Sequence, residues 1–253
     1  IIEWQKRSFT KDGEERFLWA GQIADPTGRC RMSAWQELPV KAKDLPITVK
    51  VTGVRVRAWQ GIPDITVDKA EQVEILSNAP WDDEINLQEH VVEVELSELV
   101  NSSSRVGIST SGTVVSIRED SGIISRCVDC RRVLRDGMCS SDACVGKMES
   151  QQDVRLRLVI DNGNVTASVL INKDAALELL KTSEEKMVAE IEAEGKMEFV
   201  QSIREFLLGR ELIVGGRTII DDQGAMILAD KAEIAATDAD ILATEVRAQW
   251  GIN

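Results

Sequence analysis

Four of the five cysteines, Cys127, Cys130, Cys139 and Cys144, fall within eighteen residues at spacings x2, x8 and x4. A Cys-x2-Cys pair can grip one tetrahedral Zn²⁺ from a tight turn, and a second pair brought back by a short hairpin completes the shell. A disulfide pair or a chance cluster fits less well, because Cys30 would be left unpaired and no secretory segment is visible. Four thiolates leave no position for water, so one structural Zn²⁺ is expected.

The formal charge of −13 argues at first against a nucleic-acid partner. Its distribution says otherwise. Residues 1–82 hold 12 basic and 12 acidic side chains, and the remainder carries the whole deficit. Five of the six tryptophans (Trp4, Trp19, Trp35, Trp59, Trp81) also lie in this neutral part.

Within residues 1–82, Arg16–Ala24 alternates as a strand, and Asp25-Pro-Thr-Gly28 is a turn. In the next strand Cys30, Met32 and Ala34 share one parity, fit for a barrel interior. Arg29, Arg31, Ser33 and Trp35 share the other. Ile47–Trp59 is a long β-rich run, with Arg55, Arg57 and Trp59 in phase and a bend expected at Gly53. Short strands at this spacing indicate a small all-β barrel. Arginines that track phosphates and rings that stack on bases, at roughly 1–3 kcal/mol per base, make Trp35 and Trp59 a platform for a single strand. Trp4 and Trp81 read as core, and Trp19 fits either role.

In the second part, strands are expected at His90–Leu96, Gly112–Ile117, Val154–Ile160, Val165–Ile171, Leu212–Ile220 and Met226–Ala229. Lys173–Leu208 has helical spacing, broken at Gly195 and ended at Gly209. At an offset of 162 residues Val51–Val73 matches Ile213–Ala235 with seven identities, including Gly53/Gly215, Arg55/Arg217 and Asp68-Lys-Ala-Glu71 against Asp230-Lys-Ala-Glu233. The chain is therefore read as a duplicated barrel. Trp35 is aligned with Leu170 and Trp59 with Asp221, so the second copy lacks the stacking platform.

Asp25-x-Thr-Gly28…Arg31-x-Ser-Ala-Trp35 resembles the strand 2–3 signature of the OB-folds of archaeal replication protein A, and Arg126-Cys-Val-Asp-Cys-Arg-Arg-Val-Leu134 resembles that family's zinc-bearing OB-fold. The resemblance runs from residue 1 to about 235. It implies DNA contacts at Arg31 and Trp35 and a role in replication, repair and recombination. The family pattern usually ends Cys-x2-His, and Asp142 stands at that histidine position, so the resemblance makes it an alternative fourth ligand to Cys144, although thiolate suits a closed zinc site better than one carboxylate.

The expected architecture is thus all-β, tandem OB-folds at 1–82 and 83–236, with a zinc knuckle at 126–146. Helical segments are expected at the strand 3–4 connection of the second barrel and at 237–253. The first strand of the first barrel looks truncated, as in a piece of a longer protein. Nucleic-acid contacts are assigned to Arg29, Arg31, Trp35, Arg55, Arg57, Trp59, Arg155, Arg157 and Arg217. Arg126, Arg131, Arg132 and Arg135 could touch DNA or offset the negative charge of a tetrathiolate zinc. His90, the single histidine, has no catalytic partner, and no nucleophile set or phosphate loop is present, so an enzyme is not expected. The partner is expected to be single-stranded DNA, with an OB-fold protein-assembly module or a single-stranded RNA binder as alternatives. Thr237–Trp250 is an amphipathic helix that packs on its own domain or serves association. No membrane span is visible, and a cytoplasmic, nucleoid-associated location is expected.

Overall fold

A computed structural model describes residues 1–11, 13–59, 62–81, 91–101, 104–142, 144, 148–221, 224–236, 247 and 250–251. The architecture is mostly β-sheet with a few helices and is OB-fold-like in connectivity. No helix among the described residues is long and apolar enough to cross a membrane.

The first strand set comprises β1 (Glu3–Lys11), β2 (Glu14–Asp25), β3 (Gly28–Ala34), β4 (Val49–Val51), β5 (Arg55–Trp59), β6 (Ile62–Val67) and β7 (Val73–Ile75). Its hydrogen-bonded path runs β1-β2-β3-β6-β5, with β3 and β6 parallel and β4 paired to β7. The expected strand Ile47–Trp59 is split into β4 and β5 at Gly53, whose φ of 65° turns the chain. Ile1 closes the near edge: its ammonium donates to the Ile47 carbonyl at 2.7 Å, and the Ile47 N–H returns a bond to Ile1. Of the three residues expected inside on β3, Met32 and Ala34 are fully buried beside Trp4, Leu38, Val40 and Val67, whereas Cys30 is half-buried. Ser33, expected on the outer face, is buried where its hydroxyl bonds Asp64.

The second set comprises β8 (Val92–Glu93), β9 (Val106–Ile117), β10 (Gly122–Cys127), β11 (Ser150–Asp161), β12 (Thr166–Ile171), β13 (Glu211–Asp221) and β14 (Gly224–Ile234). Here β9, β11, β12, β14 and β13 pair around a closed ring, with β12 and β14 parallel. Inward residues at period two, such as Leu156, Leu158 and Ile160, fill it and are all but inaccessible. The strand expected at His90–Leu96 is only Val92–Glu93 among the described residues, and Leu96 opens a helix, α1 (Leu96–Val100), because Leu96 and Leu99 bury together at helical spacing. His90 lies outside the described residues.

The helical stretch between β12 and β13 is three helices, α2 (Lys173–Leu179), α3 (Glu184–Glu194) and α4 (Lys196–Leu207). The break between α3 and α4 lies at Gly195 as expected, but the one before α3 was not anticipated. Ser183 caps α3 there by accepting from the Lys186 N–H at 3.3 Å. Ser-Glu-Glu at that point was its sequence signal.

Two hairpins share one pairing register. Arg55 faces Thr66 and Val56 faces Ile65 in the β5–β6 hairpin; Arg217 faces Leu228 and Thr218 faces Ile227 in β13–β14, each 162 residues on. The parallel pairs correct one alignment. Ala34 faces Val67 and Ile171 faces Ala229, so the counterpart of Trp35 is Asn172 and not Leu170, which answers to Ser33. Where the first set projects a tryptophan, the second starts a helix: the Asn172 side chain accepts from the Ala175 N–H at 3.0 Å. The expected helix at Thr237–Trp250 lies almost wholly outside the described residues.

Candidate nucleic-acid interface and cysteine cluster

The outer face of the first set is assembled from three strands in register. Arg31 on β3 and Arg57 on β5 both stand opposite Asp64 on the intervening β6, and Ser33 and Arg55 both stand opposite Thr66. Residues directly opposite share a face, so these form two rows on one surface. Trp35 follows β3 at its edge and is 60% exposed. The Phe9 ring meets it edge-on, with centroids 6.0 Å apart and planes at 65°. Such an edge-to-face contact helps fix the orientation of an exposed ring. Phe9 was not singled out in the sequence, because a lone aromatic in a polar run carries no pattern.

The expected ladder of cations is instead a ladder of cations and carboxylates. Asp64 Oδ2 lies 3.2 Å from Arg31 Nε, and its Oδ1 accepts from the Ser33 hydroxyl at 2.9 Å. Asp68 takes two hydrogen bonds from Arg55, one at 2.6 Å, and these hold its carboxyl below the usual range. Arg31 and Arg55 nevertheless keep 37% and 46% of their side chains exposed. Arg57 is exposed, and the Trp59 side chain lies outside the described residues. Trp4 is buried and stacks on half-buried Trp19 at 6.5 Å, so both serve the core.

In the second set, Arg155 and Arg157 project from β11 and share Asp120, with Arg157 at 2.7 Å. Only 12% of the Arg155 side chain is accessible, which makes it a brace between β11 and the β9–β10 turn. Arg157 keeps 36%. Arg217 is exposed on β13 and, with Arg29, lines the cleft between the two strand sets.

The cysteine cluster sits between β10 and β11. Cys127 ends β10, and the Arg131 N–H returns to its carbonyl at 3.0 Å, with Arg131 at φ 62°. Arg135 and Met138 exchange two backbone bonds across Asp136-Gly137, both at positive φ, which is the two-residue turn suited to a tight hairpin. That hairpin returns Cys139, and Cys144 follows after one turn. The four Sγ atoms lie within 4.8 Å of one another, with Cys130 and Cys139 3.4 Å apart. A tetrahedron with Zn–S bonds of about 2.3 Å has edges of about 3.8 Å, so the cluster fits one ion. Without a cation the thiols crowd each other. Cys144 is pushed up to about 12, by burial and then by its neighbours, whereas Cys130 is held at about 7, chiefly by the Arg132 backbone N–H. Cys144 belongs to the set, and Asp142 stands exposed outside it. Arg126 is bound to Asp153 and to the Arg131 carbonyl, bracing the knuckle, while Arg131, Arg132 and Arg135 are exposed.

No family model matches the chain, and no curated protein matches it. Solved structures do. A replication protein A heterotrimer bound to single-stranded DNA is similar over 97% of this chain and 66% of its own, at 12% identity and a TM-score of 0.42. Yeast replication protein A bound to single-stranded DNA is similar over 63% of this chain and 98% of its own, at 16% identity and a TM-score of 0.39. A murine DNA-binding protein bound to double-stranded DNA is similar over 92% and 89%, at 9% identity and a TM-score of 0.34.

Proposed function

We propose that this chain is a non-enzymatic single-stranded-DNA-binding protein of replication, repair and recombination, built as tandem OB-folds of the archaeal replication protein A type. The observation that carries the reading is Trp35: a large ring 60% exposed, oriented edge-on by Phe9, at the end of a strand bearing Arg29 and Arg31. A free indole face costs solvation unless something flat covers it, and a nucleobase is flat. Arg31, Arg55 and Arg57 lie beside it on the same surface, where phosphates would pass.

In this reading Cys127, Cys130, Cys139 and Cys144 hold one structural Zn²⁺. The ion neutralises thiolates that otherwise repel, and it ties the segment between β10 and β11. The location is cytoplasmic, on the nucleoid. The acid-paired arginines favour one rival, an OB-fold module for protein assembly.

The test is a titration of labelled oligo-dT against wild type and Trp35→Ala. Stacking predicts a loss of about 1–3 kcal/mol, roughly 5- to 150-fold in affinity. Equal affinity removes the stacking role. Absence of binding by wild type, with a defined oligomer in solution, favours the assembly module. Matched RNA oligomers in parallel report sugar preference.

A further inference from the structure

The run Asp68-Lys-Ala-Glu71 recurs unchanged as Asp230-Lys-Ala-Glu233, yet the two copies fold differently. Asp230–Glu233 continues along β14, with Lys231 to Glu233 paired to β13. In the first set the strand stops at Val67, and Ala70–Gln72 closes a 3-10 turn before β7. Identical tetrapeptides cannot decide this alone, but the next residue differs: Gln72 in one copy, Ile234 in the other. The Gln72 side-chain oxygen accepts from the Asp68 N–H at 2.8 Å and the Lys69 N–H at 2.9 Å, donors that a strand would give to its neighbours. Its amide nitrogen donates to the Gly53 carbonyl, at the bend between β4 and β5. Ile234 can do neither and packs against the core of the second set.

The turn built this way is a junction. Val67 faces Ala34 in the last rung of the β3–β6 pair, so Trp35 and Asp68 leave that rung side by side. The Gln36 amide, next to Trp35, donates to the Asp68 carbonyl at 2.8 Å. The Asp68 carboxylate takes two hydrogen bonds from Arg55, one at 2.6 Å. Asp68 thus holds the end of the ring-bearing strand by its main chain and a cation by its side chain. By the parallel register the second copy has Asn172 in place of Trp35 and Lys173 in place of Gln36. Lys173 is engaged instead with Glu184 on α3. Both glutamines are present in the copy that carries the exposed ring and missing from the copy that does not.

We infer that Gln36 and Gln72 are positioning residues for the Trp35 platform: Gln72 shapes the Asp68 turn, and Gln36 ties the end of β3 to it. The inference rests on the single-strand reading above and adds what keeps the platform in place. Neither amide has to touch a nucleotide. A ring and a cation that are immobilised only on binding cost entropy at that moment, so restraint beforehand raises affinity.

The experiment is a double-mutant cycle of oligo-dT affinity on Gln36→Met and Trp35→Ala. Methionine keeps the length of the side chain and removes the donor. Gln36→Met is expected to weaken binding about three- to tenfold, the worth of one immobilised side chain, with the salt slope unchanged because no phosphate contact is lost. In the Trp35→Ala background it is expected to cost less than about twofold. Equal losses in both backgrounds would make Gln36 a contact in its own right, and no loss beside Trp35 would leave the ring indifferent to it; either overturns the inference. Gln72→Met, which frees the turn itself, is expected to lose at least as much, and wild-type affinity there overturns the role of Gln72. A readout without DNA separates the two levels: the anisotropy decay of Trp35 fluorescence, taken as the difference between each protein and its Trp35→Ala partner. The ring is expected to move faster in Gln36→Met. If wild type binds no single strand while the ring is freed, the single-strand reading fails and the restraint stands. If the ring keeps its wild-type motion, the inference fails whatever binds.

Discussion

Asp64 is the residue whose chemistry departs most from a simple nucleic-acid face. It stands between Arg31 and Arg57 in register and accepts from Ser33, so an incoming phosphate must compete with a carboxylate already in place. Asp64→Asn keeps the shape and the Ser33 contact but removes the competing charge. Affinity for oligo-dT should rise, with a salt slope steeper by about 0.7, measured by anisotropy at several salt concentrations. A lower affinity would show that Asp64 positions Arg31 for binding. Trp35 and Arg31 were legible in the sequence because a period-two strand sorts its own side chains. Asp64 and Asp68 share a parity in Ile62–Asp68 and were open to the same argument. Which cations they meet depends on strands pairing side by side, and no single strand records that. Phe9 against Trp35 is a contact of the same kind.

At the level of elements, the repeat in sequence became a repeat in register, and its differences are local. β13 carries a register shift at Gly215/Gly216 and again at Gly216/Arg217, the point that aims Arg217 at the cleft. Gly216 has φ 152°, and a Cβ on it would stand 2.2 Å from the Leu228 carbonyl oxygen, which is backbone and cannot step aside. Gly216→Ala should therefore destabilise the second strand set by more than about 1 kcal/mol, read as a lower urea midpoint with an unchanged slope. An unchanged midpoint would mean the bulge is plastic. The strands themselves were readable because one face is buried; β1 was not, since Trp4 is its one buried residue among those described, and β10 was not, since the adjacent Ile123 and Ile124 break its alternation. The Trp35 counterpart was misplaced because the glycine stands at a different point in two turns of equal length: Trp19↔Ala34 and Leu156↔Ile171 put Gly163 at the place of Pro26 and Val165 at that of Gly28.

Across the whole molecule, two hydrophobic cores and a separate cysteine cluster divide the work of stability. The closed ring around Leu156, Leu158 and Ile160 holds the second set, and the cluster pins only what lies between β10 and β11. If the cluster holds the proposed Zn²⁺, stripping it with a chelator should lower the thermal transition of the second set, with metal release coincident with it. A transition that stays in place while the metal leaves would remove the structural role. The position of the knuckle has a consequence for how the chain finds its fold. β10 and β11 are neighbours in the sheet, yet roughly twenty residues separate them, and closing such a loop costs entropy that grows with the logarithm of its length. The Zn²⁺ proposed for Cys127 to Cys144 would leave about five free residues to close, a saving of about 1.3 kcal/mol by that logarithm. Metal capture thus converts a distant encounter into a local one, and the same chelated samples should refold up to about tenfold more slowly as the contact order of that pairing rises.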